Sequence, residues 1–244
     1  MIRVEREPSN AGEITRITID RPGARNALTP DMLSAMREAL ADANTGGYLL
    51  AGDGAVFSAG FDMKLVHEDD AALAAMLREL SACVVAMREN PRPVVIAAHG
   101  AAVAGACALL AGADLIVTND DAKLGYPVVR LGISPAVSAP TLALRTGAGA
   151  ARARLLDPAL VDAREAVRIG LASESCAHVE DVIGTAHERL LNLASKPPNA
   201  FATTKRWINE VDGLDACDVE HALDASLSIV GSDEQRARVA SLWS

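Results

Sequence analysis

The sequence predicts an α/β protein in which strands and helices alternate first and helices alone follow. Strand patterns occur at residues 14–20, where apolar and polar residues alternate, and at residues 94–98, which are continuously apolar. Between them, residues 69–90 carry apolar side chains at the three- and four-residue spacing of an amphipathic helix. The recurrence of strand and helix is typical of a sheet covered by helices.

The first elements follow in chain order. Residues 14–20 (ITRITID) predict a half-buried strand. Thr29 predicts a helix N-cap, because Pro30 stands at the first helical position and an acid follows in the first turn. Residues 48–51 and 56–57 predict two short strands on either side of a glycine-rich turn. A strand, a helix and a pair of strands therefore precede the long helix.

The later elements are bounded by clear signals. Prolines in residues 91–93 end the long helix, and strands are predicted at residues 94–98 and 115–118. Asp162 stands at a capping-box position with Glu165 and predicts a further helix start. Beyond it no strand is predicted. Three helical segments are instead expected to begin near Pro197, Leu214 and Ser232.

Composition and charge narrow the class of protein. The chain has 244 residues, and only 3% are aromatic, so the core is built from Ala, Leu and Val. The net charge of −9 argues against a nucleic-acid surface, and no apolar run reaches the length of a membrane span. Residues 1–10 lack the pattern of a signal or transit peptide, which predicts a cytoplasmic protein. The cysteines lack metal-ligand spacing and predict buried thiols at Cys83, Cys107, Cys176 and Cys217.

Two segments carry the strongest functional signal. Residues 55–64 (AVFSAGFDMK) and 94–107 (VVIAAHGAAVAGAC) each lead from apolar residues into a turn of Gly and Ala. Such turns let backbone N–H groups point into a pocket, because Gly adopts unusual dihedral angles and Ala adds little bulk. Packing alone also produces such turns in α/β proteins. Taken together they predict an oxyanion hole, in which preorganised donors stabilise negative charge on a carbonyl oxygen.

Two further segments strengthen this interpretation. Residues 21–28 (RPGARNAL) precede the first turn, and residues 166–171 (AVRIGL) follow the second. With residues 57–62 and 100–114 they make four motifs in sequence. In order and spacing these motifs resemble those of the enoyl-CoA hydratase/isomerase family, also called the crotonase superfamily. The resemblance extends over nearly the whole chain.

The resemblance implies a fold, an assembly and a ligand. The implied fold is a crotonase-like superhelix of ββα units in residues 1–190, with a C-terminal helical trimerisation region in residues 191–244. The implied assembly is a homotrimer or a dimer of trimers, with no nucleic-acid or membrane partner. The implied ligand is an acyl-CoA. Coenzyme A is part of the substrate, and neither a further cofactor nor a metal ion is expected.

The resemblance also assigns residues to the site. Phe61 and Gly105 stand at the positions whose backbone N–H groups form the family's oxyanion hole. The implied CoA-binding residues are Arg25, Ala27, Ala59, Asp62, Met63, Lys64 and, from a neighbouring subunit, Lys205. The implied acyl pocket is formed by Ala108, Tyr126, Val128, Ser134 and Ala136. For Asp62 a structural role remains open, because acids in such turns commonly hold the loop by hydrogen bonds.

The chain departs from the family at the positions that move protons. A hydratase holds water between two glutamates, since addition to a double bond requires proton transfer at both carbons. Ala108 and Val128 stand at these two positions, and the isomerase glutamate is also replaced by Val128. The nucleophilic Asp of a dehalogenase corresponds to Ala136. The pocket is therefore expected to lack acids, which leaves Tyr126, Ser134 and Ser138 as candidates to donate a proton or orient a carboxylate.

These features favour an enzyme that forms a CoA-thioester enolate without standard hydration. Decarboxylation suits an acid-poor pocket best, because loss of CO₂ generates the enolate without a base. Isomerisation or thioester cleavage requires a relocated group. The alternative is an acyl-CoA-binding protein that keeps the fold and lacks the chemistry. A Rossmann-type nucleotide site is disfavoured, since no G-x-G-x-x-G follows the first strand.

Overall fold

The computed structural model describes residues 1–10, 12–42 and 44–243. Within these ranges the strands form a sheet of six, ordered β1-β2-β3-β4-β6-β8, and a pair, β5-β7. The strands are β1 (Ile2–Ser9), β2 (Gly12–Ile19), β3 (Tyr48–Gly52), β4 (Val94–Ala97), β5 (Ala101–Val103), β6 (Leu115–Asn119), β7 (Lys123–Gly125) and β8 (Glu174–Cys176). The helices are α1 (Pro30–Leu40), α2 (Met63–Glu68), α3 (Asp70–Glu89), α4 (Gly105–Leu110), α5 (Ala139–Thr146), α6 (Ala148–Leu156), α7 (Ala163–Arg168), α8 (Asp181–Ala194), α9 (Pro198–Asp212), α10 (Ala216–Leu227) and α11 (Asp233–Ala240).

Helices cover both faces of the large sheet. Strand β1 is antiparallel to β2, and the other neighbouring strands are parallel. On one face Leu50 and Ile96 pack in a core shared with α1 and α3, and on the other Leu49 and Val95 pack with α8. All four side chains are fully buried. Burial on both faces explains why β3 and β4 are continuously apolar.

The structure confirms the predicted helix boundaries. Thr29 caps α1 by accepting a hydrogen bond from Met32 N at 3.3 Å, and Asp162 caps α7 by accepting one from Glu165 N at 2.9 Å. Helix α3 lies within the predicted residues 69–90 and ends before the two prolines. The three predicted C-terminal helices begin at Pro198, Ala216 and Asp233.

The strands differ from prediction in three places. Strand β1 was not predicted, because its exposed, charge-rich sequence has no apolar pattern, and it exists by pairing with β2 along its whole length. The expectation that no strand follows Asp162 was wrong. Strand β8 has only three residues and is defined by its pairing with β6 at the sheet edge. Residues 56–57 were wrongly predicted as a strand and belong to the turn after β3.

The C-terminal helices pack back onto the rest of the same chain. Helix α10 contacts α3 and the short 3-10 helix at Ala136–Ser138. In α11, Arg236 forms an ion pair with Asp70 at the start of α3, at 2.7 Å. Helix α8 continues across residue 190, so the predicted division after that residue falls inside a helix. The two-part domain organisation therefore stays a prediction.

Two further expectations concern membranes and cysteines. In residues 1–10, 12–42 and 44–243 no helix combines the length and apolarity needed to cross a membrane. Cys83 and Cys107 are buried as predicted. The same prediction was wrong for Cys176, which is half-buried, and for Cys217, which lies on the exposed side of α10 within 3.6 Å of the His221 ring nitrogens.

Candidate active site

The first Gly/Ala turn is tied to the preceding loop by Asn26. This residue is fully buried and has a φ of 57°. Its Nδ2 donates to the carbonyl oxygens of Asp53 and Val56, both at 2.8 Å, and its Oδ1 accepts from Arg21 N at 2.9 Å. Ser58 Oγ donates to the Asn26 carbonyl oxygen at 2.7 Å. A single side-chain amide therefore joins the two motif segments.

We expect Asn26→Ala to lower the free energy of unfolding by about 3 kcal/mol, because the three hydrogen bonds of this buried side chain are lost. Chemical denaturation measures this loss. Asn26→Gly is the matched control, since it removes the same side chain while tolerating the positive φ. Both variants should lose most of the same stability. A large loss in Asn26→Ala alone would assign the effect to backbone strain rather than to the amide.

A parallel bridge fixes the direction of the Phe61 N–H. Leu28 N donates to Gly60 O, and Asp62 N donates to Leu28 O, both at 2.8 Å. Because these bonds flank Phe61, its own N–H points away from Leu28. Among the residues that the structure describes, this N–H has no acceptor. It is therefore available to a ligand.

Asp62 holds the end of this turn. Its Oδ1 accepts from Lys64 N at 3.0 Å, which caps α2, and its Oδ2 forms an ion pair with Arg21 Nη1 at 2.6 Å. Burial works to raise the pKa of the Asp62 carboxyl, but the hydrogen bonds from Arg21 and from Lys64 N hold that pKa below its usual value. Asp62 is thus ionised at neutral pH. These contacts support the structural role that the sequence left open.

The second turn lies directly beside the first. Ser58 N donates to Ala101 O at 3.1 Å, and Val103 N donates to Ser58 O at 3.2 Å. Gly105 begins α4, and its N–H has no acceptor in the described part of the chain. A Cβ on Gly105 would lie only 2.5 Å from Phe61 Cε1, so the Phe61 ring covers this glycine. The two turns therefore lie side by side, with Phe61 directly against Gly105.

Ala104, the residue directly before α4 in the second turn, has an uncommon backbone conformation. It precedes α4 with φ 55° and ψ −121°, and its N–H donates to Gly125 O at 2.8 Å. An L-residue other than glycine is strained there, at a cost of about 1–3 kcal/mol. The tight path of the second turn is therefore maintained against local strain.

We expect Ala104→Gly to raise the free energy of unfolding by about 1 kcal/mol, because glycine adopts this conformation without strain. The midpoint of chemical denaturation reports the change. Ala102→Gly is the control, since Ala102 is buried in β5 and has no positive φ, so glycine should destabilise the protein there. Equal destabilisation by both substitutions would contradict the assignment of strain to Ala104.

Both turns line one apolar cavity of about 120 Å³. It extends from the turns to α3 and to the loop after β7. None of the described residues that line it carries a charged side chain. The lining residues are Ala59, Phe61, Met63, Leu77, Leu80, Val103, Ala104, Gly105, Tyr126, Pro127, Val128, Leu131, Ile133, Ser134, Pro135, Val137 and Ser138. The cavity therefore offers an apolar surface with few polar groups.

The titratable groups nearest the cavity are kept neutral. Tyr126 lines it, and its hydroxyl donates to Cys107 O at 3.2 Å. Burial raises the pKa of Tyr126 well above its usual value and the pKa of the Cys107 thiol to about 12. His99 lies elsewhere as a buried ring, with Nε2 3.0 Å from Gly54 O. Neither Tyr126 nor Cys107 therefore supplies a charge to the cavity near neutral pH.

Comparison with known proteins assigns the family. A profile of the enoyl-CoA hydratase/isomerase family matches residues 9–227. The chain belongs to this family. It is 30% identical over 219 residues to the short-chain-enoyl-CoA hydratase of Clostridium acetobutylicum, covering 87% of this chain and 82% of the relative.

Solved structures of the family have the same fold. An enoyl-CoA hydratase/isomerase from Mycobacterium paratuberculosis superposes with a TM-score of 0.86 at 25% identity, covering 98% of this chain and 97% of the other. One from Xanthobacter autotrophicus Py2 has a TM-score of 0.83 at 27% identity, covering 98% and 96%. These likenesses support the predicted crotonase-like fold of this enoyl-CoA hydratase/isomerase family member.

The structure brings together only part of the predicted site. Twelve of the positions assigned by the family resemblance are divided between the cavity lining and its surroundings. Phe61, Gly105, Ala59, Met63, Tyr126, Val128 and Ser134 line the cavity. Arg25, Ala27, Lys64, Ala108 and Ala136 are not among its lining residues. Ala108 is buried within α4. For Ala108 and Ala136, placement in the acyl pocket therefore stays a prediction.

Lys205 requires a further correction. Its side chain is buried, and its Nζ donates to Met87 O at 3.0 Å, to Arg92 O at 3.4 Å and to Asp114 Oδ2 at 2.8 Å. An ammonium group has three protons, and three acceptors of the same chain engage them. Burial lowers the pKa of Lys205, although Asp114 opposes this shift. Lys205 thus anchors α9 in its own chain rather than extending toward a neighbour's CoA.

Sequence reasoning missed the far wall of the cavity. Leu77 and Leu80 of α3 line it, together with Leu131, Ile133 and Val137. The helical spacing of α3 predicted that its leucines are buried, but periodicity does not distinguish packing against protein from packing against a ligand. The wall is therefore evident only once α3 is placed beside the two turns.

Proposed function

We propose that this enoyl-CoA hydratase/isomerase family member binds an acyl-CoA with its thioester oxygen between the N–H groups of Phe61 and Gly105. The observation that carries the proposal is that these two N–H groups lack acceptors in the described chain and belong to residues lining one cavity. Preorganised donors of this kind stabilise the negative charge of an enolate oxygen. The apolar remainder of the cavity suits the acyl group.

The reaction proposed for this site is decarboxylation of a thioester that carries a carboxylate on its α carbon. Cleavage of the C–C bond releases CO₂ and leaves its electron pair in the enolate, which then takes a proton from water. No base is required. An uncharged cavity favours neutral CO₂ over the carboxylate, because burial of an unpaired charge is costly. Isomerisation is the second candidate, but no titratable carboxylate among the described lining residues moves the proton.

Contacts to the CoA and the assembly complete the proposal. Arg25 and Lys64 flank the first turn and are proposed to contact CoA phosphates, as the resemblance implies.

The apolar residues Trp207, Ile208 and Val211 of α9 are largely exposed, which supports contact with other copies of the chain in a homotrimer or a dimer of trimers. Light scattering on the eluting protein tests the assembly, and a monomer would contradict it.

The decisive experiment is a panel of CoA thioesters. Methylmalonyl-CoA and malonyl-CoA are incubated with the protein, and release of CO₂ and formation of the shortened acyl-CoA are measured. Turnover of these substrates, with binding but no reaction of isobutyryl-CoA, is expected. Binding of CoA thioesters without turnover of any panel member would favour the non-catalytic acyl-CoA-binding alternative. Absence of binding would contradict the site itself.

A further inference from the structure

Ser138 differs in its hydrogen bonding from the other polar side chains that line the cavity. It lines the cavity and is only 4% exposed. It directly precedes α5, yet its side chain makes no capping hydrogen bond to that helix. Within the described residues its hydroxyl has no hydrogen-bond partner. The residue is buried but lines the cavity, so its hydroxyl is available to hydrogen-bond a ligand there.

The other polar side chains of the cavity are already engaged. The Tyr126 hydroxyl donates to Cys107 O at 3.2 Å. Ser134 Oγ accepts from Ala136 N at 3.3 Å and so stabilises its own loop. In the proposed function the Phe61 and Gly105 N–H groups face the thioester oxygen. Among the described lining residues, Ser138 is therefore the polar side chain that neither donates nor accepts a hydrogen bond within the protein.

The loop that carries Ser138 is held firmly by the C-terminal region. Ser226 of α10 is 1% exposed, and its Oγ accepts from Val137 N at 2.8 Å and donates to Ser134 O at 2.9 Å. Ser138 N donates to Pro135 O at 2.9 Å. These bonds fix the backbone that leads into Ser138, and α5 begins directly after it. Its hydroxyl is thus preorganised for a ligand rather than free to turn to solvent.

We propose that Ser138 is a specificity residue that hydrogen-bonds an oxygen carried by the acyl group. This inference rests on the proposed function for the position of the thioester. The ligand class is an acyl-CoA with an oxygen substituent near the thioester, either a hydroxyl or a carboxylate. A hydrocarbon acyl group would cover this hydroxyl and leave it unpaired, so hydrocarbon analogues are expected to bind more weakly than oxygen-bearing ones. Both classes present an oxygen that can hydrogen-bond the Ser138 hydroxyl. The experiment below distinguishes the acyl groups that carry a hydroxyl from those that carry a carboxylate.

The test compares matched ligands on the intact protein and on Ser138→Ala by calorimetric titration. One pair is 3-hydroxybutyryl-CoA and butyryl-CoA, and the other is methylmalonyl-CoA and isobutyryl-CoA. Ser138→Ala is expected to weaken binding of the oxygen-bearing member of at least one pair by roughly three- to tenfold. Binding of its hydrocarbon partner should be unchanged or stronger. The pair that responds identifies the hydroxyl or the carboxylate as the preferred oxygen.

Two controls separate recognition from folding. The melting temperature of Ser138→Ala should equal or exceed that of the parent, because no internal hydrogen bond is removed. Ser134→Ala should instead lower it, since Ser134 Oγ accepts a loop N–H. Equal weakening of both members in both pairs, or no weakening, would overturn the role of Ser138. If methylmalonyl-CoA is not decarboxylated but the selective loss persists, the inference stands and the proposed reaction fails.

Discussion

Gly105→Pro is expected to lower turnover of the CoA thioester by about 10²–10³-fold, because it removes one of the two N–H donors to the enolate oxygen. Proline is tolerated at the first helical position, and Gly105 is the first residue of α4. The helix itself is therefore expected to persist. Single-turnover kinetics on the thioester that reacts in the panel measure the loss at the chemical step.

Gly105→Ala supplies the matched control for this substitution. Both variants add a Cβ that would lie 2.5 Å from Phe61 Cε1 and force the ring to move, but alanine keeps the N–H. The difference between the two variants therefore reports the N–H rather than the crowding. Circular dichroism and oligomer size must match the parent in both. If folded Gly105→Pro and Gly105→Ala react equally fast, Gly105 is not an oxyanion donor.

Hydration of crotonyl-CoA is expected to be about 10⁴-fold or more slower than in a hydratase with two glutamates. One general acid or base contributes roughly 10²–10⁴-fold, and Ala108 and Val128 replace both groups. The structure adds a reason, because none of the described lining residues is charged. Loss of absorbance of the enoyl thioester measures the reaction. Turnover comparable with that of ordinary hydratases would show that other residues supply the protons.

Restoring glutamates provides the complementary test. Val128 lines the cavity, so Val128→Glu brings a carboxylate to the site directly. The double variant Ala108→Glu/Val128→Glu should hydrate crotonyl-CoA faster than either single variant, since each glutamate serves one proton transfer. Ala108→Glu alone places a longer side chain at a buried position and is expected to lower stability. Unchanged hydration in a folded double variant would contradict the assignment of these positions.

Much of the fold could be predicted because its signals are local. The caps of α1 and α7 depend on a side chain bonding a backbone N–H three residues away, as Thr29 and Asp162 do. Strand β1 could not be predicted because its exposed, charge-rich sequence has no apolar pattern, although its partner β2 follows directly in the sequence. Strand β8 could not be predicted because it depends on pairing with β6, which is distant in the sequence. A three-residue edge strand carries no periodicity of its own.

The candidate site, too, could be predicted only in part. Motif resemblance predicted the two turns and the positions at which the family's glutamates are replaced, because these predictions depend on residue identity and spacing. It did not distinguish Lys205, whose ammonium is engaged by three acceptors of its own chain, from a lysine free to bind CoA. Partners so far apart in sequence are visible only in the folded chain.

The sequence by itself determined the α/β class and the family, and it predicted an acid-poor pocket, since composition, capping residues and motif order are local or countable. The tertiary structure decided which of those residues lie together. It put the N–H groups of Phe61 and Gly105 and the hydroxyl of Ser138, none of which has a partner within the described residues, on residues that line one cavity. The physical reason is that hydrogen-bond satisfaction and burial depend on contacts between distant segments, which local patterns do not specify.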